Sequence, residues 1–498
     1  MENLTSQKIQ PWTRKDAVLN VVVYVLNFIL LGLMFLGAIY LGSQNETTFS
    51  IAQFFANPKS VISFFVLLAL AIMFMALYFI FEESDFVKSA SNTEMLFLII
   101  EVSLLVIFVC GNFINPFIRP LALAAILTLF LTNTKTAVFV NIVTSIIIFL
   151  FDAYGGSFIS GERTEQIYFM FLGISSGIIA VYVLNNVYSR LKIILMSFLV
   201  SIPTVLYILL PFVAGGNPTT ILTSVLYGAV SGPMSVVALM ILLPIFEGVF
   251  RKVSCFKYSE LTDHKAKLVR KMIIEAPGTF NHSIIVSNIA EACATAIGED
   301  ALFARTCAYY HDIGKLRRPE FFKENQGEGF NPHDDITPEL SANIIKSHGV
   351  DGYKLIKKNR LPLKIADVCL QHHGTMPIIY FYDKAKKYTD GEVDILQYCY
   401  PGPKPQNKIS AIIMIADASE AASRTLKDRS RESVGNVVKK CIKDRMQLGQ
   451  FEECEITLKE LNIIENTVIN TLTGVYHDRI KYPKMNIKDI EGQLEEEL

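Results

Sequence analysis

The sequence predicts an all-α protein, in which a polytopic bundle of transmembrane helices is followed by a cytoplasmic all-helical domain. Of its 498 residues, 51% are hydrophobic, and the mean hydropathy of +0.37 is too apolar for an ordinary soluble protein. Long apolar runs fill the chain up to about residue 250, and charged residues in amphipathic helical patterns follow them. The net charge of -1 averages these two halves and therefore indicates little about partners.

Eight apolar segments each approach the roughly 20 residues that a membrane-spanning helix requires. They lie at about 17–42, 61–82, 95–114, 117–133, 137–155, 166–188, 193–214 and 219–249. Lysine and arginine are more frequent in the loops on the side of the chain ends, so the positive-inside bias predicts that the N-terminus and the soluble half are cytoplasmic. The fourth and fifth segments are short, and a re-entrant hairpin around Lys135 is the alternative to two spans.

These patterns predict five regions along the chain. They are a cytoplasmic N-terminus (1–16), a bundle of about eight transmembrane helices (17–249), a connecting helix (250–275), a soluble domain (276–482) and an acidic C-terminal tail (483–498). The first apolar segment lacks a small-residue cleavage pattern and is interpreted as an anchor. The eight cysteines show no CxxC pair, so neither a disulfide framework nor a zinc ribbon is indicated.

Histidines and aspartates form a spaced series in the soluble half. Its members are His282, His311, Asp312, His348, His372, His373 and Asp417. Imidazole and carboxylate ligands suit borderline transition metals, and one carboxylate in an adjacent His-Asp pair can bridge two ions. The series therefore predicts a binuclear hydrolase, in which a metal-bridging hydroxide attacks phosphorus. The alternative is a set of scattered core residues, each of which would need its own polar partner.

Helical patterns place these ligands near one another. The run 283–297 is apolar, contains no proline and is followed by Gly298, and 301–310 repeats the pattern. The sequence therefore predicts two helices, with His282 and the His311-Asp312 pair at their ends.

Longer motifs surround the series. They are Glu275-Ala-Pro-Gly-Thr-Phe-Asn-His-Ser283, Tyr309-Tyr-His-Asp-Ile-Gly-Lys315, Gln371-His-His-Gly-Thr375, Tyr400-Pro-Gly-Pro-Lys-Pro-Gln406 and Ala416-Asp-Ala-Ser-Glu-Ala-Ala-Ser-Arg424. Together they resemble the membrane-bound HD-domain family called 7TM-HD. The resemblance implies a cyclic-di-AMP phosphodiesterase that forms pApA with two divalent transition-metal ions, manganese or iron.

The resemblance also divides the ligands between the two ions. It implies that His282, His311, Asp312 and Asp417 hold one ion, and that Asp312, His348, His372 and His373 hold the other. Asp312 would thus serve both ions and act in catalysis.

Two cations are the candidates for contacts to the substrate phosphate. Lys315 follows His311 by four residues, or about one helical turn, and could reach a phosphate oxygen. Arg424 follows Asp417 by seven residues on the same helical face, and could bind non-bridging oxygens in a bidentate manner. The alternative for both residues is a salt bridge among the metal ligands.

The chain departs from the resemblance at two places. Family members usually carry a large extracytoplasmic domain after the first span, whereas only about 18 residues separate the first two spans here. A lysine is also expected between the third histidine and the next Asp-Gly, but the chain has His348-Gly-Val-Asp-Gly352. The second departure concerns substrate contacts and leaves the metal ligands intact.

Other functions remain open at this point. One is hydrolysis of another nucleotide, such as cyclic-di-GMP or a linear dinucleotide, although the Gly-Tyr-Pro signature expected of cyclic-di-GMP enzymes is absent after His373. Another is a non-catalytic nucleotide-binding membrane sensor, which would not need every metal ligand. The predicted partners are a cyclic dinucleotide substrate, the lipid bilayer and a second copy in a homodimer, with no nucleic-acid polymer.

Overall fold

The computed structural model describes most of the chain. The described residues are 14–43, 50–83, 89–155, 163–185, 187, 189–213, 218–250, 252–327, 329, 331–388 and 392–475. They divide at Lys257 into two compact units, a membrane unit and a C-terminal unit. The part of the first interhelical loop at 44–49, most of the predicted N-terminus and the predicted acidic tail lie outside the described residues.

The membrane unit is helical throughout its described parts. Its helices are α1 (Arg14–Ser43), α2 (Ile51–Phe55), α3 (Pro58–Phe81), α4 (Ala90–Phe113), α5 (Leu123–Leu131), α6 (Thr134–Tyr154), α7 (Arg163–Leu184), α8 (Arg190–Val200), α9 (Ile202–Val213) and α10 (Pro218–Phe250). Seven candidate spans in this set are long and apolar enough to cross a membrane, with α8 and α9 counted as one.

The fourth predicted segment, 117–133, differs from a full span. It consists of a 3-10 turn at Pro116–Ile118 and the nine-residue α5, which is only about 14 Å long at 1.5 Å per residue. Pro116 and Pro120 lack backbone N–H groups and cannot extend a helix interior. The Asn115 side chain also accepts a hydrogen bond from the Phe117 N–H at 2.9 Å and fixes the turn. The segment is nevertheless largely buried within the bundle.

A serine compensates for a proline inside the membrane unit. Pro233 lies within α10 and offers no N–H to the Ala229 carbonyl one turn earlier. The Ser201 hydroxyl, between α8 and α9, donates to that carbonyl at 2.9 Å and accepts from the Gly232 N–H at 2.9 Å. Backbone groups of the interrupted helix are thus satisfied by a neighbouring segment, as an apolar environment requires.

The C-terminal unit is also helical. From Cys255 onward the helices are α11 (Cys255–Leu261), α12 (Lys267–Glu275), α13 (Pro277–Ile297), α14 (Ala301–Tyr310), α15 (Pro338–Lys358), α16 (Leu363–Gln371), α17 (Ile379–Tyr388), α18 (Lys408–Arg424), α19 (Arg431–Gln447) and α20 (Leu458–Val475). Strand-type pairing in the described residues is limited to one isolated bridge between Pro377 and Cys399. The all-α prediction is therefore confirmed.

Helix α13 lies at the centre of the C-terminal unit and contacts α14, α18 and α20. Small buried residues line these contacts, among them Ala290, Cys293 and Ala308. Because these side chains are short, the helix axes approach closely. The ligand-bearing parts of α13 and α18 and the C-terminal end of α14 are thereby brought together.

Two short helices occur where one connecting helix was predicted at 250–275. Helix α11 ends at Leu261 and α12 begins at Lys267. Between them, the Asp263 side chain accepts a hydrogen bond from the Lys265 N–H at 2.7 Å, and the backbone carbonyl of Asp263 accepts one from the Ala266 N–H at 2.8 Å. These bonds form a turn that competes with helical hydrogen bonding.

Candidate metal centre

All seven predicted ligands converge in the C-terminal unit. His282 lies on α13, His311 and Asp312 directly follow α14, His348 lies on α15, His372 and His373 directly follow α16, and Asp417 lies on α18. His282 is inside its helix, so the prediction that it lies at the helix end was wrong. The helix begins earlier, at Pro277, because proline is tolerated in the first turn.

These residues form two groups that could each hold a metal ion. The His282 group consists of His282, His311, Asp312 and Asp417, and the His348 group consists of Asp312, His348, His372 and His373. Within each group, one potential ligand atom from every residue lies within 4.8 Å of the others. The two groups are the sets that the family resemblance implies, with Asp312 common to both.

Asp312 presents one carboxylate oxygen to each group. Its Oδ1 lies 3.3 Å from Nε2 of His348 and 3.7 Å from Nε2 of His372. Its Oδ2 lies 3.3 Å from Nε2 of His311 and 3.6 Å from Nε2 of His282. This is the arrangement in which one carboxylate can contact two ions.

Several polar atoms in this cluster fit bound cations better than any protein partner. Oδ1 of Asp312 and Nε2 of His311 are buried without a hydrogen-bond partner among the described residues, and Oδ2 of Asp312 has only the Lys315 ammonium group, at 2.7 Å. Nε2 of His348 also lies 3.2 Å from Nε2 of His372. If neither nitrogen carries a proton, the two cannot form a hydrogen bond with each other. Unsatisfied buried polar atoms are costly. A divalent ion in each group would satisfy all of them.

Three of the histidines are oriented by backbone carbonyl groups. The Nδ1–H groups of His311, His348 and His372 donate to the carbonyls of Ala308, Ile345 and Val368 at 2.7, 2.6 and 3.0 Å. A carbonyl can only accept, so Nδ1 is the protonated nitrogen. Nε2 is therefore left as the acceptor that a metal ion requires.

His282 has a different partner. Its Nδ1 lies 2.6 Å from Oε2 of Glu420, and its Nε2 lies 3.0 Å from Oδ1 of Asp417. Glu420 is completely buried. The Arg424 Nε–H donates to its other oxygen, Oε1, at 2.7 Å.

The electrostatics of the cluster favour bound cations. Burial opposes charge on Asp312, but the neighbouring Lys315 and His311 hold the pKa of its carboxyl well below the usual range. Burial likewise opposes charge on His311, yet Asp312 and Asp417 raise its pKa to about 10. Burial lowers the pKa of His348 to about 4, so this imidazole is neutral at pH 7. The carboxylates that raise the pKa of His311 thus favour a positive charge in the cluster, such as a bound cation, while His348 offers a neutral nitrogen ligand.

Lys315 lies beside Asp312, but not on a helix as its spacing from His311 suggested. Helix α14 ends at Tyr310, and Lys315 belongs to a 3-10 stretch at Ile313–Arg317. In this stretch, Gly314 contacts the backbone of α15 so closely that a Cβ would overlap the His348 carbonyl. Nζ of Lys315 lies 2.7 Å from Oδ2 of Asp312 and 2.7 Å from Oε1 of Glu324.

Arg424 lies at the C-terminal end of α18, with 37% of its side chain exposed. Its ion pair with Glu420 connects it to His282, whereas the sequence interpretation placed it against substrate phosphate. The salt bridge that was the alternative is thus present for Lys315, whose partner Asp312 is a predicted ligand, while Arg424 pairs with Glu420, which contacts the predicted ligand His282. Their predicted phosphate contacts remain predictions.

The structure adds three residues that received no role from the sequence. Glu420 contacts His282, Glu324 contacts Lys315, and the Tyr400 ring stacks on His373 with centroids 4.2 Å apart. Glu420 and Tyr400 lie within the motifs that carry the family resemblance. A carboxylate three residues after Asp417 in an otherwise small and apolar helix was the signal available for Glu420.

Comparison with known families matches both units. A family model described as "7TM receptor with intracellular HD hydrolase" matches residues 58–254, and a model of the HD domain matches residues 279–422. Between them, the two matches cover most of the membrane unit and all seven predicted ligands.

Two curated relatives bear the name "Cyclic-di-AMP phosphodiesterase PgpH". The relative from Listeria monocytogenes is 40% identical over 375 residues, which are 74% of this chain and 50% of the relative. The relative from Bacillus subtilis is 36% identical over 443 residues, which are 86% of this chain and 61% of the relative. The chain thus spans between half and about three fifths of the length of these relatives.

Two crystal structures of the HD domain of L. monocytogenes phosphodiesterase PgpH are also similar. The first is 48% identical and covers 42% of this chain and 99% of that domain, with a TM-score of 0.41. The second is in complex with cyclic-di-AMP, and is 49% identical over 43% of this chain and 99% of that domain, with a TM-score of 0.41.

Proposed function

The chain belongs to the family of 7TM receptors with an intracellular HD hydrolase, and we propose that it hydrolyses cyclic-di-AMP to pApA with two divalent metal ions. It is a multi-pass membrane protein. The observation that carries the proposal is the position of Asp312, whose two oxygens face two groups of largely buried ligands. A binding-only domain would not need both groups.

The donor set supports manganese or iron in these groups. Five imidazoles and two carboxylates make up the proposed ligands, and this mixture suits borderline transition metals better than calcium or magnesium. When bound, two such ions supply an activated water and neutralise the charge that develops on the phosphate. Asp312 is proposed to hold both ions at once.

Lys315 is proposed to contact a phosphate oxygen of the substrate. Its ammonium group is fixed between Asp312 and Glu324, and these two carboxylates raise its pKa despite burial. A cation that stays protonated beside the metal ligands can stabilise negative charge on the transferring phosphate. Arg424 is proposed to contact the other non-bridging oxygens, as its place on the Asp417 helix suggested.

The choice of cyclic-di-AMP as substrate is supported by the names of the two relatives, which match most of this chain. A pocket beside the His348 group is lined by Lys346, His373, Tyr400 and Gly402, among other residues. Tyr400 offers an aromatic face there, which could stack on a nucleobase.

The catalytic domain is proposed to span about 276–482 and to be cytoplasmic. The family model described as 7TM covers residues 58–254, a range that holds six of the seven candidate spans. The seventh segment of that range would be the short Pro116–Leu131. Its nine-residue helix is too short to cross a bilayer alone, so we propose that the whole of Pro116–Leu131 crosses as one short segment. Counted with α1, this gives eight crossings and both chain ends on one side, where the positively charged loops also lie. A homodimer through the bundle is proposed as the assembly.

Metal removal and restoration test the proposed function. The purified full chain, stripped with a chelator, should lose cyclic-di-AMP hydrolysis and regain it when manganese or ferrous iron is added. The Asp312→Ala variant should not regain it. Hydrolysis at an unchanged rate in the stripped protein would refute the proposed use of metal ions.

A further inference from the structure

We propose that Glu420 is a positioning residue that holds His282 as a metal ligand, and that Arg424 fixes Glu420 in turn. The proposal rests on the proposed metal centre and concerns how one of its two groups is built. It gives Glu420 and Arg424, at the exposed end of α18, a role in supporting metal binding. This role is separate from the substrate contact proposed for Arg424.

The partner of Nδ1 distinguishes His282 from the other oriented ligands. The rings of His311, His348 and His372 are held by carbonyls of their own preceding turns. Nδ1 of His282 lies instead 2.6 Å from Oε2 of Glu420, a residue 138 positions away on another helix. The orientation of His282 therefore depends on a tertiary contact that a single substitution can remove.

Both carboxylate oxygens of Glu420 have a polar partner. Oε2 contacts His282 and Oε1 accepts from Arg424, which lies one helical turn later on α18. The Glu420 side chain is 0% exposed, so an oxygen without such a partner would be a costly buried polar atom. With Oε1 accepting from Arg424, Oε2 is the acceptor that faces Nδ1 of His282, so Nδ1 supplies the proton of this contact and Nε2 is left toward the metal position.

Helix α18 thereby controls both sides of the His282 ring. Asp417 lies 3.0 Å from Nε2, while Glu420, three residues later, contacts Nδ1. A carboxylate behind a histidine also raises its basicity toward a metal, and removal of such a partner typically weakens metal binding 10- to 100-fold. The effect should be confined to the His282 group, because the histidines of the His348 group make no contact with Glu420 among the described residues.

Replacement of Glu420 by glutamine gives a sharp test. The amide has one acceptor oxygen and one donor nitrogen, so it cannot accept from His282 and from Arg424 together. With the amide nitrogen toward the ring, His282 must place its proton on Nε2 and cease to be a ligand. Adding Arg424→Ala removes the competing donor, so the double variant should bind metal no more weakly than Glu420→Gln alone.

The experiment titrates the metal-stripped full chain with Mn²⁺ alone and follows free Mn²⁺ by electron paramagnetic resonance. Two ions should bind to the unaltered chain. In Glu420→Gln the dissociation constant of one ion should rise 10- to 100-fold, while the other stays unchanged. Arg424→Ala should raise the dissociation constant of the same ion by a smaller factor. Glu432→Gln, an exposed change on α19, is the matched control and should bind like the unaltered chain.

Unchanged Mn²⁺ binding in Glu420→Gln would overturn the proposal, since the contact would then serve only to join α13 to α18. An equal loss of affinity for both ions would overturn the proposal as well. If Glu420→Gln fails to fold by circular dichroism, Arg424→Ala decides by the same criteria. The titration needs no nucleotide, so failure of the proposed activity would appear separately, as an unaltered chain that binds Mn²⁺ but leaves cyclic-di-AMP intact.

Discussion

The ammonium group of Lys315 lies 2.7 Å from Oδ2 of Asp312, the carboxylate that belongs to both ligand groups. Asp312 is buried and the Lys315 side chain is 13% exposed, so water screens their interaction only in part. Glu324 holds the lysine from the other side at 2.7 Å. The lysine ammonium group is therefore fixed at the edge of the proposed metal centre, where we propose that it contacts the substrate phosphate.

Lys315→Met should retain metal but lose most turnover. The substitution removes a positive charge that is not itself a ligand, and loss of one such preorganised contact costs about 100- to 1000-fold in turnover. Mn²⁺ binding and the turnover number at saturating substrate are the measurements. Lys357→Met, an exposed change on α15, is the control. Near-normal turnover in Lys315→Met would exclude a phosphate contact.

Asp312→Ala and Asp417→Ala should differ in metal content. Asp312 belongs to both groups, whereas Asp417 belongs to the His282 group alone. We therefore expect Asp312→Ala to lose both ions and essentially all turnover, and Asp417→Ala to lose one ion. Elemental analysis of the purified variants measures this directly. Two ions retained per chain in Asp312→Ala would rule out the bridging role.

Arg424→Ala separates metal support from substrate contact. At Mn²⁺ concentrations that saturate both groups, a lost charge-assisted contact of about 1.5–3 kcal/mol should lower kcat/KM roughly ten- to hundred-fold and raise KM. Arg424→Lys should recover part of this, because an ammonium cannot reproduce the planar fork. Full recovery of kcat/KM in Arg424→Ala at saturating Mn²⁺ would show that the arginine acts only through Glu420.

Acid should remove a contact between α18 and α20. Hydrogen bonds from Lys408, at 2.6 Å, and from Thr457 lower the pKa of Glu460 from 4.5 to about 2. Because the folded pKa is depressed, the stabilisation is complete above about 4.5 and is lost as the pH falls toward about 2. Glu460→Gln should therefore melt at a lower temperature at pH 7, and its difference from the unaltered chain should shrink between these pH values. A difference that is the same at every pH would contradict the assignment.

The sequence was sufficient to predict the all-helical fold and the convergence of the ligands. His282 and Asp417 are 135 residues apart. Each nevertheless has a polar side chain that is costly to bury without a partner, so the sequence could predict that they meet at a shared site. Glu420 escaped prediction because its role depends on which face of α18 meets α13, and this is a tertiary property. Lys315 was predicted one helical turn after His311, whereas the helix ends at Tyr310 and a 3-10 stretch follows, in which Gly314 packs closely against α15, a tertiary contact that residue spacing does not reveal.

The membrane unit shows a similar limit. Hydropathy alone marks 117–133 as a span, but Pro116 and Pro120 shorten its helix to nine residues. The proline positions were visible in the sequence, although their combined effect depends on the Asn115 turn and on burial among neighbouring helices. The domain boundaries and the roles of Lys315 and Arg424 remain predictions.

Product analysis with each of two candidate substrates tests the central claim most directly. The purified full chain, loaded with Mn²⁺, is incubated separately with cyclic-di-AMP and cyclic-di-GMP, and the products are separated by chromatography over time. We predict that cyclic-di-AMP is converted to linear pApA faster than cyclic-di-GMP is opened, and that Asp312→Ala forms no pApA. Equal turnover of the two nucleotides, or the absence of pApA from a chain that has bound two Mn²⁺ ions, would contradict the proposed function.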